Sequence, residues 1–327
     1  MNYLEKYNQW IENEYFDEAT RQELTDLKGN DEEVKDRFYK DLEFGTAGLR
    51  GVLGAGSNRI NIYTVRKATQ GIANYINKQG GQERGVAIAY DSRKLSPELA
   101  NEAALCFNAN GIKTYMFEAL RPVPELSFTV RELSCIAGVV ITASHNPPEY
   151  NGYKVYWEDG AQITAPKDEE IIAEVNAVSD YSIVKTMDLA LAKEQKLNHT
   201  IGKEIDDKYI EEIKKYILNP LSDMGKKLKI VYTPIHGSGI TLVPRILKEL
   251  GFENVYIVEE QEEPDSSFPT VSYPNPEDPE VYELALKLAK KVDADIILAT
   301  DPDADRLGIQ VKNAEGEYEL FSGNMIG

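Results

Sequence analysis

A chain of 327 residues with 42% hydrophobic side chains can build more than one core, and two domains are the default expectation. A formal charge of −19 argues against nucleic acid and anionic membranes as partners, and no apolar run reaches the roughly 18 residues a membrane span needs. The acidic, amphipathic start MNYLEKYNQWIENEYFDEAT is not a signal peptide. The two cysteines, Cys106 and Cys135, lie in apolar stretches and read as buried thiols of a reducing, cytoplasmic compartment. If the ligand of so acidic a chain is a phosphate, its cations, or a metal, must be gathered at one place.

Residues 1–43 read as a charge-rich helical extension, with apolar positions at helical spacing in LEKYNQWIENEYF. From residue 44 strands and helices alternate. The helical segment YTVRKATQGIANYINKQ precedes the strand GVAIAYD. SPELANEAALCFNANG then reads as a helix capped by Ser96, with Pro97 in its first turn and Gly111 as its stop. The strand KTYMFEAL, the turn RPVP, the helix ELSFTVRELS and the strand CIAGVVITAS come next. Residues 165–227 are polar and helical in pattern and read as a connection. A second cycle runs from the strand LKIVYT through PIHGSG and the helix ITLVPRILKELG to the strand NVYIVEE. The Pro- and Ser-rich QEEPDSSFPTVSYPNPEDP must be a long loop. It leads into the helix EVYELALKLAKK and the strands DADIILAT, LGIQVKN and YELFSG. The expected architecture is two consecutive α/β domains with mixed, mostly parallel sheets flanked by helices, behind the helical extension.

Two stretches carry chemistry. IAGVVITASHNPPEYNGYKVYW runs a buried strand straight into Ser144, and ligands of α/β sheets bind at the carboxyl ends of strands. A serine that carries a phosphoryl group needs activation and a cationic surround, and His145 and Lys154 are near enough in sequence to supply them. The bland alternative is an Asn-, Pro- and Gly-rich surface turn. The second stretch, DADIILATDPDADRLGIQV, places Asp301, Asp303 and Asp305 after another buried strand. In an extended chain alternate residues face one way, and three carboxylates on one face repel unless a hard cation joins them; oxygen-only ligands favour magnesium. A calcium EF-hand loop would need glycine and glutamate where Arg306 and Lys312 stand. An aspartyl phosphatase using Asp301 is weakened by Asp305 two positions beyond Asp303. On the repulsion argument, removing one carboxylate by Asp303→Asn should leave metal-free stability unchanged or slightly raised.

Thr142-Ala143-Ser144-His145-Asn146-Pro147-Pro148, with Asn151-Gly152-Tyr153-Lys154 after it, resembles the phosphoserine loop of the α-D-phosphohexomutase superfamily, and Asp301-Pro302-Asp303-Ala304-Asp305-Arg306 resembles its metal loop. EFGTAGLRG at 43–51 is similar to its first-domain Gly-Leu-Arg-Gly element, in the variant of the phosphoglucomutase-2-like and phosphopentomutase branch. The resemblance implies that Ser144 carries the phosphate and that Lys154 is the general acid/base. It implies that His145 helps hold the phosphate and that Arg306, Arg50 and the AYDSR arginine Arg93 contact phosphate or substrate. Mg2+ would be held by Asp301, Asp303, Asp305 and an oxygen on Ser144. TPIHGSG resembles the opening loop of the second domain, with His236 structural; His199, in the polar connection, reads as solvated. The implied domains are 44–200, with the phosphoserine loop, and 201–318, with the metal loop; 319–327 resembles the start of a third.

The implied activity is interconversion of glucose 1-phosphate and glucose 6-phosphate through a sugar bisphosphate, with glucose 1,6-bisphosphate as activator. Mannose and pentose phosphates are alternatives, because the family's sugar-reading Glu-x-Ser-Gly loop and phosphate-binding Arg-x-Ser-Gly-Thr loop do not occur here. Domains III and IV would then be missing partners, and the chain would fold but be inactive alone. An aspartyl phosphatase and a non-catalytic sugar-phosphate-binding module are the readings from other classes.

Overall fold

The computed structural model describes residues 2–45, 48–219, 221–321 and 323–326. Three short helices come first, α1 (Tyr3–Glu12), α2 (Glu18–Asp26) and α3 (Asp31–Phe38). Their N-caps Asn2, Asp17 and Asn30 each accept a backbone N–H of the first turn. They bury an aromatic cluster in which Trp10 stacks on Phe16 at 4.0 Å and meets Tyr63 edge-on at 5.6 Å. Tyr63 belongs to α4 (Ile62–Lys78), so this cluster fastens the extension to the first α/β unit.

The first sheet has the order β1-β5-β4-β2-β3-β6, formed by β1 (Leu49–Val52), β2 (Val86–Tyr90), β3 (Thr114–Phe117), β4 (Ala137–Ile141), β5 (Tyr150–Trp157) and β6 (Asn198–Ile201). β4, β2, β3 and β6 run parallel, β5 runs antiparallel to β4, and β1 runs antiparallel to β5. All five residues of β2 are buried, as a strand covered on both faces requires. Val86 and Ile88 pack with α4, with α5 (Ser96–Ala109) and with α7 (Lys167–Ala177). Ala87 and Ala89 face α6 (Val123–Glu132). On α4 the buried Val65, Ala68, Ile72 and Ile76 recur at helical spacing. Gly71 lets α7 come close: a Cβ there would sit 2.5 Å from the Val175 Cα.

Two readings of this half are corrected. Ser96 does not cap α5; the cap is Leu95, at φ 64°, and the Ser96 hydroxyl donates instead to Asp91 Oδ1 at 2.8 Å. The polar stretch from 165 is more than a connection. After α8 (Leu189–Glu194) it supplies β6, whose half-buried His199 stacks on Tyr115 at 5.2 Å.

α9 (Lys203–Lys214) and α10 (Asp223–Lys226) lead to the second sheet, of order β11-β10-β9-β7-β8. It comprises β7 (Lys229–Thr233), β8 (Asn254–Ile257), β9 (Ile296–Thr300), β10 (Leu307–Lys312) and β11 (Tyr318–Phe321), with β8, β7 and β9 parallel, β10 antiparallel to β9 and β11 antiparallel to β10. Val231, Ile297 and Ala299 pack against Ala285 and Ala289 of α13 (Glu283–Val292), which comes after α11 (Val243–Glu249) and α12 (Glu259–Glu262). The segment 240–251, expected as one helix, begins in a 3-10 turn, Ser238–Thr241, and only then becomes α11. Pro244 in the first turn of α11 suits a helix start rather than its interior. No helix among the described residues is long and apolar enough to cross a membrane.

α9 is fastened to both halves. Its Asp206 accepts from Arg121 at 2.8 and 3.0 Å, and its Asp207 accepts from Arg245 of α11 at 2.6 Å. Beneath Arg121 lies Glu125, 0% exposed. Burial, and then the neighbouring Asp206, push its pKa up to about 9 from an ordinary 4.5. The folded state therefore keeps a proton that the unfolded chain releases above pH 4.5, and Glu125 costs stability increasingly as pH rises towards 9. Glu125→Gln should raise the unfolding free energy by more than about 1 kcal/mol at pH 8 and change it little at pH 4. Urea titrations at the two pH values check this; an equal effect at both would show that Glu125 carries no extra proton.

Candidate active site

β4 delivers Ser144 to the edge of the first sheet. The turn is tight: Ser144 sits at φ 53°, a left-handed conformation unusual for a residue with a Cβ. It is held by Ser144 N donating to Thr142 Oγ1 at 2.8 Å and Asn146 N to Ala143 O at 3.1 Å. β9 delivers the aspartates from the second sheet. They are not on an extended strand, as the alternation argument had it. The strand ends at Thr300, and Asp301–Arg306 turn back on themselves, with Ala304 at φ 51° and its N–H donating to Asp301 O at 2.9 Å. The turn gathers one carboxylate oxygen from each of Asp301, Asp303 and Asp305 to within 4.8 Å of one another.

The two loops meet. Ser144 Oγ donates to Asp301 Oδ2 at 2.7 Å, and Arg306 N to Asp301 Oδ1 at 3.1 Å. Lys154, on β5, donates to Asp303 Oδ2 at 2.7 Å and Asp305 Oδ2 at 3.0 Å. Thr142 Oγ1 donates to Asp303 Oδ2 at 3.1 Å, and α6 joins in through Val123 N to Asp303 O at 2.9 Å. His145 Nδ1 lies 3.2 Å from Ser144 Oγ. Arg50, exposed on β1, donates to Asn146 Oδ1 at 3.2 Å and so borders the same loop. Before it, Gly48 at φ 92° must be glycine, since a Cβ would fall 1.9 Å from Tyr153 O. Thr46 and Ala47 of that Gly-rich element lie outside the described residues.

The charges are mutually adjusted. Burial alone would raise Asp303, but the Lys154 ammonium and the hydrogen bonds Asp303 accepts bring its pKa below the ordinary value. Burial, then Asp303 and Asp305, push Asp301 well above it. Burial opposes the Lys154 charge, yet Asp303 and Asp305 outweigh it and raise its pKa, so Lys154 is an ammonium. His145 is held below its usual range by burial, then by Arg306 and Arg50.

A divalent cation fits. All donors are oxygens, which suits magnesium, and Asp303 Oδ1 is buried without a hydrogen-bond partner among the described residues. The expectation for Asp303→Asn counted only the repulsion that it would relieve. Lys154 and the Thr142 hydroxyl already sit on Asp303, so removing its charge takes a counter-charge from a buried lysine.

Arg93 is also corrected. Its side chain is sealed from solvent and is no substrate contact. It donates to the carbonyls of Ser144 at 2.7 Å, Pro147 at 2.8 Å, Tyr150 at 3.0 Å, and Asn146, and so shapes the loop from below. His236 holds Glu263 O and Thr270 Oγ1. The parts played by Thr142 and Val123 were missed; Thr142 stood inside the quoted motif, whereas nothing local marks Val123.

The pairing of Lys154 with buried Asp303 and exposed Asp305 can be tested by removing its charge. Lys154→Met leaves Asp303 and Asp305 without their ammonium and should lower metal-free stability by about 3 kcal/mol. Magnesium should then raise the Tm of the variant more than that of the parent, and calorimetry with and without the ion tests this. Because Ser144 is left-handed, Ser144→Gly should be more stable than Ser144→Ala by about 1 kcal/mol. Denaturant midpoints of the two variants decide the point.

Residues 41–182 match the alpha/beta/alpha domain I of phosphoglucomutase/phosphomannomutase, and residues 207–316 match its alpha/beta/alpha domain II. The chain is 39% identical to a phosphopentomutase of Pongo abelii, with 97% of this chain and 53% of that protein covered. It is 38% identical to a phosphoglucomutase of Staphylococcus epidermidis, with 98% and 57% covered. The chain thus spans about half the length of the curated relatives it matches. A solved phosphoglucomutase/phosphomannomutase family protein of Burkholderia thailandensis superposes with a TM-score of 0.66 at 27% identity, covering 84% of this chain and 55% of that one. With two consecutive domain matches, these relatives and a serine loop seated against an aspartate loop, the chain belongs to the phosphoglucomutase/phosphomannomutase family.

Proposed function

We propose that the chain carries the phosphoryl-transfer site of a sugar-phosphate mutase, with Ser144 as the phosphoryl carrier. The observation that supports this most is the 2.7 Å bond from Ser144 Oγ to Asp301 Oδ2, which joins a nucleophile from one domain to a cation-binding cluster from the other. In the proposed cycle the phospho-Ser144 P–Oγ bond breaks as a P–O bond to a sugar hydroxyl forms. The bisphosphate turns around, and its other phosphate returns to Ser144. Glucose 1-phosphate and glucose 6-phosphate are the substrate pair we favour; pentose phosphates compete, since relatives named for each are similar to the same degree. The full cycle is proposed for a protein of the relatives' length, in the cytoplasm, where two buried free thiols stay reduced.

Each residue has a task in this reading. Asp301, Asp303, Asp305 and Ser144 would hold Mg2+, which when bound neutralises charge developing on the phosphoryl oxygens. Asp301 orients the Ser144 hydroxyl. Lys154 is an ammonium while Asp303 and Asp305 hold it; it would serve as the base for the sugar hydroxyl only once those carboxylates turn to a cation and its pKa falls. Arg306 and Arg50 grip phosphate from opposite loops as planar, permanently charged donors, and neutral His145 helps hold it beside the serine. The aspartyl-phosphatase alternative is disfavoured, because both oxygens of buried Asp301 already accept hydrogen bonds.

Incubating the chain with Mg2+ and glucose 1,6-bisphosphate, then mapping phosphopeptides by mass spectrometry, should place one phosphate on Ser144 and none in Ser144→Ala. A parallel incubation with ribose 1,5-bisphosphate ranks the two sugars by rate. Phosphate found on Asp301 and never on Ser144 would overturn the mutase reading.

A further inference from the structure

We propose that Phe268, in the long loop of the second domain, is a positioning residue for Ser144 that acts through Arg93. The kinetic part of this proposal rests on the reading of Ser144 as phosphoryl carrier; the structural part does not. The terminal guanidinium nitrogens of Arg93 are engaged with the four loop carbonyls, and Nε faces Asp91 Oδ2 at 3.5 Å. What remains of the cation is a face of its plane, and the Phe268 ring covers it, with Arg93 Cζ 5.1 Å from the ring centroid. Both side chains are buried, the setting in which a cation–π contact is strongest.

Phe268 reaches that position at φ 47°, a true outlier for a bulky residue. Such strain persists only where the surroundings impose it, and here they do. His236 binds Glu263 O at 2.9 Å and Thr270 Oγ1 at 3.0 Å, on either side of Phe268. Gln261 donates to the same Thr270 hydroxyl at 3.0 Å and accepts from Thr233 at the end of β7 at 2.7 Å. Asp265 N donates to His236 O at 3.3 Å, and Phe268 N to Asp265 O at 3.2 Å. A continuous set of contacts therefore runs from β7, through the loop and the Phe268 ring, to Arg93 and the carbonyls of Ser144 and of the residues that follow it. The second sheet thus supplies the aspartates and also braces the loop that meets them.

The test compares Phe268→Leu, which keeps an apolar side chain but loses the π face, with Phe268→Tyr and Phe268→Trp, which retain it. In Phe268→Leu, amide hydrogen exchange across residues 144–151 should quicken about tenfold, with exchange in β2 and β9 unchanged; the aromatic variants should exchange like the parent. Ser144 phosphorylation by glucose 1,6-bisphosphate should slow about tenfold in Phe268→Leu and recover in Phe268→Tyr. If Phe268→Leu does not fold, Phe268→Met takes its place. Unchanged exchange at 144–151, or equal quickening in the aromatic variants, would overturn the proposal. A parent chain that takes no phosphate at Ser144 would overturn the functional reading instead, and the exchange comparison would still decide the role of Phe268.

Discussion

Three carboxylates within 4.8 Å of one another are the constraint that organises this molecule. Like charges at that distance are tolerable in a buried place only with counter-charges and donors to match. Of the side-chain groups that supply them, Lys154, Ser144 and Thr142 come from the other sheet. The bonds from Ser144 and Lys154 span 157 and 149 residues of sequence. The same charge problem that suits the cluster to a metal therefore ties two independently built α/β units together. The backbone contact from Val123 to Asp303 O and the grip of Arg121 on Asp206 reinforce the junction.

The helical extension acts at one remove from this centre. Arg37 of α3 donates to Ala55 O at 3.0 Å, Glu23 of α2 accepts from Ala55 N at 3.1 Å, and Asn58 N donates to Arg37 O at 2.9 Å. The turn they hold comes directly after β1, the strand that bears Arg50. An acidic exterior surrounds a site whose cations, Arg50, Lys154 and Arg306, converge from three separate stretches of chain. A phosphate approaching a protein of formal charge −19 finds these three cations gathered in one place.

How legible all this was depended on how local the cause was. The serine and aspartate loops could be read because each is a short motif at the end of an apolar strand, and the strand supplies the direction. The geometry of the aspartates was misread because period-two alternation stops where β9 stops, and the turn after it depends on Ala304 adopting a positive φ. Arg93 was misread for a different reason. It was read from a strand-end turn, AYDSR, that resembles one of the family, and only the fold reveals four carbonyls waiting for it. Ser96 has the right residue type and place for a cap, but the nearby Asp91 claimed its hydroxyl. β6 was invisible because Asn198-His199-Thr200-Ile201 has little apolar content; it is a strand because β3 offers it an open edge.

That edge has a consequence for how the protein is made. β3 pairs with β6 in parallel, from Thr114 with Asn198 to Phe117 with Ile201. During synthesis the backbone groups on that side of β3 wait for residues that the ribosome has yet to add. At about 5–20 residues per second the interval is on the order of ten seconds, whereas a hairpin closes in about 1–10 μs. Through that interval the nascent first sheet presents a strand able to pair with any neighbouring chain. α7 and α8 emerge before β6 does, so the nascent domain gains helical cover on one face before its last edge is closed.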